Sequence, residues 1–273
     1  MPLHIDRRSL ILTGTLGLGA FAIPGFAWGA GFGEGFTHSV ASGEPGSDTM
    51  LLWTRYVPSG GGPAKLRAEV SLTQDFAKIV SGAEMVTGPW RDHTAKITVQ
   101  GLMPGTRYFY RFIAPDGSMS PVGRTKTLPV GNARRFGIAV FSCTNMPFGY
   151  FNAYAHAAMR DDVDLAIHLG DYLYEYPKGA YAPERGAIDG RVPLPEGEAI
   201  ALADYRLRYA SYRADPDLQA LHQLKPMLVS MDDHELANNS WEGGAQNHQA
   251  QEGDYNSRRA AASAQHPVPA ARR

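Results

Sequence analysis

Between Phe36 and Leu128 apolar and polar residues alternate in short runs. "MLLWTRY", "LRAEVSL", "AKITVQ" and "RYFYRFIA" are rich in branched and aromatic residues, and each is bounded by a turn-forming segment such as "VPSGGGPA", "GLMPGT" or "APDGSMS". Period-two alternation with such punctuation predicts β-strands. Only "TQDFAKIV" has apolar residues at helical spacing. A small β-sandwich is the natural solution for this half of the chain.

Within "GLMPGTRYFYRF" a Pro-Gly turn leads Tyr108, Phe109 and Tyr110 into a strand. This resembles the corner of immunoglobulin and fibronectin III-like sandwiches, where a Tyr hydroxyl bonds back to upstream backbone. Tyr108 is therefore read as structural. "LPVGNARR" reads as a linker, and the rhythm changes beyond Arg135. "FGIAVFSC" is a continuous apolar run, expected of a strand buried on both faces of a parallel sheet. "GYFNAYAHAAMRD" has helical spacing, "DLAIHLGD" is a strand, "LADYRLRYASYRADPDLQALHQ" is helical, and "KPMLVSMDDHE" is a strand. Strand, helix, strand, helix, strand predicts parallel pairing with crossover helices.

Working groups of such sheets lie just past the carboxyl ends of the strands. Here those ends deliver Ser142-Cys143-Thr144, Gly170-Asp171 and Asp232-Asp233-His234-Glu235. A strand interior does not favour Asp171, and a polar loop does not favour Tyr172, Leu173, Tyr174 and Tyr176. The convergence predicts a metal cluster. A bridging carboxylate can hold two cations, which together clamp the attacking and leaving oxygens of a phosphoryl transfer. Asp171 occupies the bridging position, Tyr174 could add a phenolate and Cys143 a thiolate. Those two ligand types favour ferric iron, whereas all-oxygen neighbours suit calcium, magnesium or manganese. Other polar residues get plainer readings. His168 is a packed core histidine, His38 is structural, and Glu175 satisfies a neighbouring backbone amide. "DYRLRYASYRADPD" forms a solvated helix face, and "WEGGAQNHQAQEGD" is a loop that either shapes the pocket mouth or has no special role.

Composition narrows the classes. The 273 residues are 44% hydrophobic with a net charge of −1, which describes globular material without the basic face of a nucleic-acid binder. The first thirty residues differ. Arg7 and Arg8 precede an apolar, Gly-rich stretch from Leu10 to Ile23, with small residues at Ala27 to Ala30. That is the layout of a twin-arginine export signal over residues 1–30, too short to span a bilayer. The expected location is periplasmic or extracellular, with the export machinery as a partner and membrane contact only in transit. Cys143 is the only cysteine, so no internal disulfide is available.

Taken together, "GFTHSVASGEPGSDTMLLWTRY", "GLMPGTRYFYRF", "FSC", "HLGDYLYE" and "DDHELANNSWEGGAQNHQ" resemble the alkaline phosphatase D (PhoD-like) family of the calcineurin-like metallophosphoesterase superfamily. The resemblance runs from the export signal to about Ala262. It implies an α/β metallophosphoesterase-like domain over residues 134–262, preceded by the all-β sandwich of residues 36–128. It also implies Fe3+ held by Cys143, Asp171 and Tyr174, with Ca2+ nearby. Asp233 would be a second-metal ligand with a part in catalysis, His234 would contact phosphate or protonate the leaving oxygen, and Asn238 or Asn239 would add a ligand. The implied activity is hydrolysis of phosphomonoesters or phosphodiesters by a monomer. Residues 263–273, "SAQHPVPAARR", depart from the family pattern, and the two prolines cannot continue a helix. A truncated chain with an incomplete metal site is expected. The alternative is a catalytically impaired secreted fragment whose sandwich binds a partner.

Overall fold

The computed structural model describes residues 32–181 and 186–265. The export signal with Arg7 and Arg8, and the last eight residues, lie outside that range. Strands β1 (Gly35–Gly43), β2 (Met50–Val57), β3 (Ala64–Ser71), β4 (Ile79–Thr87), β5 (Thr94–Val99), β6 (Arg107–Ile113) and β7 (Gly123–Lys126) come first. They are followed by β8 (Ile138–Phe141), α1 (Asn152–Met159), β9 (Leu165–His168), α2 (Leu202–Arg213), α3 (Pro216–Leu224), β10 (Pro226–Val229) and α4 (Tyr255–Gln265).

One four-stranded antiparallel sheet, β4-β3-β6-β7, faces the end of a six-stranded sheet ordered β5-β2-β1-β10-β9-β8. The core between them is built from the inward positions of the alternating runs, among them Met50, Leu52, Leu66, Val70, Tyr108, Tyr110 and Phe112. Tyr108 makes the expected corner: its hydroxyl accepts the Met103 backbone N–H at 2.7 Å. "TQDFAKIV" is not helical. Phe76 takes a left-handed backbone, turns inward under the Arg111 guanidinium at 4.1 Å and leads into β4. Packing of that ring overrides the local spacing.

The larger sheet continues through both halves of the chain. β1 is antiparallel to β2 and parallel to β10, pairing Ser42 with Pro226 and Gly43 with Met227. β8, β9 and β10 are mutually parallel, with helices as crossovers, as the pattern predicts. The change of rhythm at residues 129–135 thus marks a change of connectivity within one sheet. Behind β8 to β10 a second core gathers Met146, Phe151, Tyr154, Ala166, Tyr172, Leu173, Tyr209, Tyr212, Leu218 and Met227.

Three sequence expectations are corrected here. β8 is an edge strand covered on one face, and Ile138 and Val140 are 49% and 58% exposed. An uninterrupted apolar run says that both faces of a strand are apolar, not that both are covered. The helical stretch from Leu202 is two helices, because Pro216 opens α3 while the Asp215 side chain caps it by accepting from the N–H groups of Asp217 and Leu218. Its charged first part is no solvated face. Tyr205, Arg208, Tyr209, Tyr212 and Arg213 are all buried. The Arg208 guanidinium donates to the backbone carbonyls of Tyr174, Tyr176, Leu194, Pro195 and Gly197, so its charge is consumed in holding the loop that follows β9.

Candidate metal centre

The loops leaving β8, β9 and β10 are fastened to one another by backbone contacts that leave little freedom. Cys143 N–H donates to Gly170 O at 3.2 Å and Thr144 N–H to Asp171 O at 2.8 Å. The buried Glu235 carboxylate accepts from Tyr172 N–H on one loop and from Asp232 N–H (2.8 Å) on the next. Gly170 permits this closeness: at φ +126° a Cβ there would stand 2.5 Å from Asp232 backbone N. Cys143 and Asp171 hold left-handed backbone conformations at φ 58° and 54°. Non-glycine residues pay about 1–3 kcal/mol for sparsely populated backbone regions and keep them where surroundings over-determine them.

The result is a compact donor set. One ligand atom each from Asp171, Asp233 and His234 can be chosen so that all three lie within 4.8 Å of one another. Tyr174 O–H donates to Asp171 Oδ2 at 3.1 Å. Asp171 Oδ1 is buried without a hydrogen-bond partner. A buried carboxylate oxygen left bare is costly unless a cation meets it, so the residues present fit a metal. Desolvation raises the Asp171 pKa, against the opposing pull of His234, Cys143 and Tyr174. Burial, then the charges of Asp171 and Cys143, push the Tyr174 phenol well above its ordinary value.

Asn238 and Asn239 lie just beyond this set. The Asn238 side chain donates to Gln246 Oε1 at 2.7 Å and its N–H to Glu175, while Asn239 donates its N–H to Asp233 Oδ2 and its side chain to Gln246. The loop "WEGGAQNHQ" therefore braces the asparagines through Gln246. His168 and His38 sit where expected. His168 is fully buried against Thr144 and Tyr154 at 2.9 Å, and burial pushes it down to about 4. His38 has a structural role, its Nε2 donating to the Ala210 carbonyl at 3.0 Å.

Glu175 does more than satisfy an amide. Fully buried, its carboxylate accepts from His234 Nδ1 at 2.9 Å, from Asn238 N–H at 2.8 Å and from Asn247 Nδ2 at 2.7 Å. Burial by itself would lower the His234 pKa, but the Glu175 hydrogen bond and charge, with Asp171 and Asp233, outweigh it and raise the pKa. The sequence signal for this role is thin: a lone carboxylate inside the aromatic run "YLYEY". The tyrosines of that run wall in the imidazole, with the Tyr174 ring 4.3 Å and the Tyr176 ring 5.5 Å from it. A cavity of about 280 Å³ opens beside them, lined by Tyr174, Tyr176, Tyr181 and Phe148.

Comparison with known proteins places this geometry. The family model for the PhoD-like phosphatase matches residues 138–266, and the model for the PhoD-like phosphatase N-terminal domain matches residues 30–129. The chain belongs to the PhoD-like phosphatase family. It is 39% identical to alkaline phosphatase D of Bacillus subtilis (strain 168), an alignment covering 86% of this chain and 41% of that protein. A solved structure of PhoD superposes with a TM-score of 0.79 at 35% identity, covering 91% of this chain and 48% of that one. The purple acid phosphatase PPD1 of yellow lupin (Lupinus luteus) shares the fold at 14% identity, with a TM-score of 0.50 over 85% of this chain and 40% of that one. The chain thus spans less than half the length of these relatives. Its fold is the metallophosphoesterase-like one, preceded by the β-sandwich.

Proposed function

We propose that the chain works in exported, metal-dependent phosphoester hydrolysis of alkaline phosphatase D type, acting on phosphomonoesters, phosphodiesters or both. The observation that carries this reading is the bare, buried Oδ1 of Asp171 inside the Asp171–Asp233–His234 group at the ends of the parallel strands β9 and β10. Cys143, Asp171 and Tyr174 would hold Fe3+, and Asp233 with Asn238 would contribute to Ca2+. When bound, the cations supply positive charge to the phosphoryl oxygens and acidify the attacking water.

The chain's own residues do the rest. Glu175 fixes the His234 ring through Nδ1, which leaves Nε2 as the group that meets phosphate or gives a proton to the leaving oxygen. The tyrosines around His234 exclude water from one side of it. Asp171 and Asp233 keep the site negative, so phosphate is repelled until cations enter. Arg7 and Arg8 would direct the folded monomer through the twin-arginine route to the periplasm or beyond. Among the described residues no helix is long and apolar enough to cross a membrane.

The test is metal analysis of the purified chain combined with hydrolysis of p-nitrophenyl phosphate esters. Iron and calcium should co-purify and be lost in Asp171→Asn. A chain that binds no metal after incubation with both ions, yet keeps its sandwich folded, overturns the reading.

A further inference from the structure

A second cavity, of about 330 Å³, lies between β2, β5 and α2, apart from the strand ends. Its walls carry Arg55, Arg91, Lys96, Arg206 and Arg213, against a single lining carboxylate, Asp92. Arg55 and Asp92 neutralise each other through an ion pair of 2.9 Å. Lys96 has Glu44 nearby to offset part of its charge. That leaves three arginines, none of which forms a salt bridge among the described residues. Arg206 donates to the Trp90 carbonyl at 2.6 Å, while its Nε is buried without a partner. Arg213 lies 3.9 Å over the Trp53 ring, and its Nε reaches the Tyr172 hydroxyl at 3.4 Å.

Positive groups gathered in a concave, partly buried space repel one another, and the effect is visible: burial first, then Arg213 and Arg91, lower Lys96 to about 8. The one histidine on the wall adds no charge, because burial and Arg55 hold His38 down to about 3. Guanidinium groups present planar, paired donors that match phosphoryl oxygens. The volume exceeds that of a bare phosphate. Trp90, which is 58% exposed, offers an aromatic wall for an organic substituent.

We propose that this cavity is a second, non-catalytic binding site for a phosphoryl oxyanion, held by Arg91, Arg206 and Arg213 and flanked by Trp53 and Trp90. Its occupant is inorganic phosphate or the phosphoryl group of an ester. The proposal is independent of the hydrolase reading, since it uses none of the strand-end residues.

Metal-free protein separates the two sites. Without cations the Asp171–Asp233 cluster repels phosphate, so binding measured by calorimetry at low ionic strength reports the arginine cavity. Inorganic phosphate and phenyl phosphate should each bind once. The double variant Arg91→Gln with Arg206→Gln should weaken both by at least about tenfold, as expected for lost charge-assisted hydrogen bonds. Asp171→Asn should leave both unchanged. Tighter phenyl phosphate assigns the ester as ligand, and equal affinities assign free phosphate. A readout on the unaltered cavity guards against misfolding of the double variant: phosphate should change the tryptophan fluorescence of the wild-type chain, and Trp90→Phe should remove most of that response. No binding to the metal-free chain, equal binding by the arginine variant, or loss of binding in Asp171→Asn would each overturn the proposal.

Discussion

Carboxylates are treated in opposite ways in the sandwich and at the ends of β8 to β10. In the sandwich, Glu69 is met by Arg67 at 2.5 Å and Arg111 at 2.8 Å, and Asp92 by Arg55 at 2.9 Å. At the ends of β8 to β10, Asp171, Glu175, Asp233 and Glu235 stand together with no lysine or arginine partner among the described residues. Buried charge is normally paired because an isolated ion loses its hydration. The contrast teaches that the carboxylates of the sandwich are electrostatically finished and those of the strand ends are not. They hold negative charge in reserve for something positive.

The largest expected effect removes that reserve. Asp171→Asn keeps the side chain's size but discards its charge, so iron and calcium should both fall to background in metal analysis while circular dichroism stays native. Full iron occupancy in this variant would remove Asp171 from the site. Glu175→Gln comes next. With its orienting charge gone the His234 pKa should fall, so the protonated imidazole is lost at lower pH. The alkaline limb of the activity profile should move to lower pH, with kcat reduced roughly 10²-fold, at the low end of what a positioned proton donor contributes. An unchanged pH profile would reduce Glu175 to a packing role.

Glu235 sharpens the comparison through stability. Burial, only partly offset by the hydrogen bonds it accepts from Tyr172 and Asp232, raises its pKa to about 7. A carboxyl group raised in the folded state contributes stability that is present below its unfolded value near 4.5 and is lost as pH rises through about 7. Urea denaturation of the metal-free chain should therefore show stability falling across that window. Glu235→Gln should flatten the fall, and it should lower stability on the acid side of the window, where an amide serves the two N–H donors less well than the carboxyl group does. The smallest effect belongs to the sandwich. Tyr108→Phe strands the Met103 N–H and should cost about 1–2 kcal/mol, with metal content untouched. A loss of metal in that variant would mean that the two regions are less separate than their charges suggest.

Much of this was legible in the sequence. Period-two alternation marked β2, β3, β5 and β6, and three apolar runs ending in polar residues marked β8, β9 and β10. Asp171, Asp233 and His234 could be singled out because ligand-type residues at strand ends are conspicuous. The supporting residues were hidden for a physical reason. Arg208 and Glu175 are ordinary charged residues in sequence, and only burial shows that one holds five carbonyls and the other a histidine ring. Phe76 was misread because local spacing is blind to a side chain that leaves its own segment to pack elsewhere. The cations of the second cavity come from β2, β5, α2 and a connecting turn, and no short window contains them all.

The pairing of β1 with β10 bears on how the protein folds. Two residues near the end of the first sandwich strand dock beside a strand more than 180 positions later, and Lys126 reaches across to Asp164 at 2.7 Å. Such a closure is slow to find, because a long loop must be ordered before the contact rewards it. The early sandwich therefore presents β1 as a waiting edge until β10 arrives. The two halves should then melt as one cooperative transition, and a cut at residue 130 should yield two insoluble pieces rather than two domains.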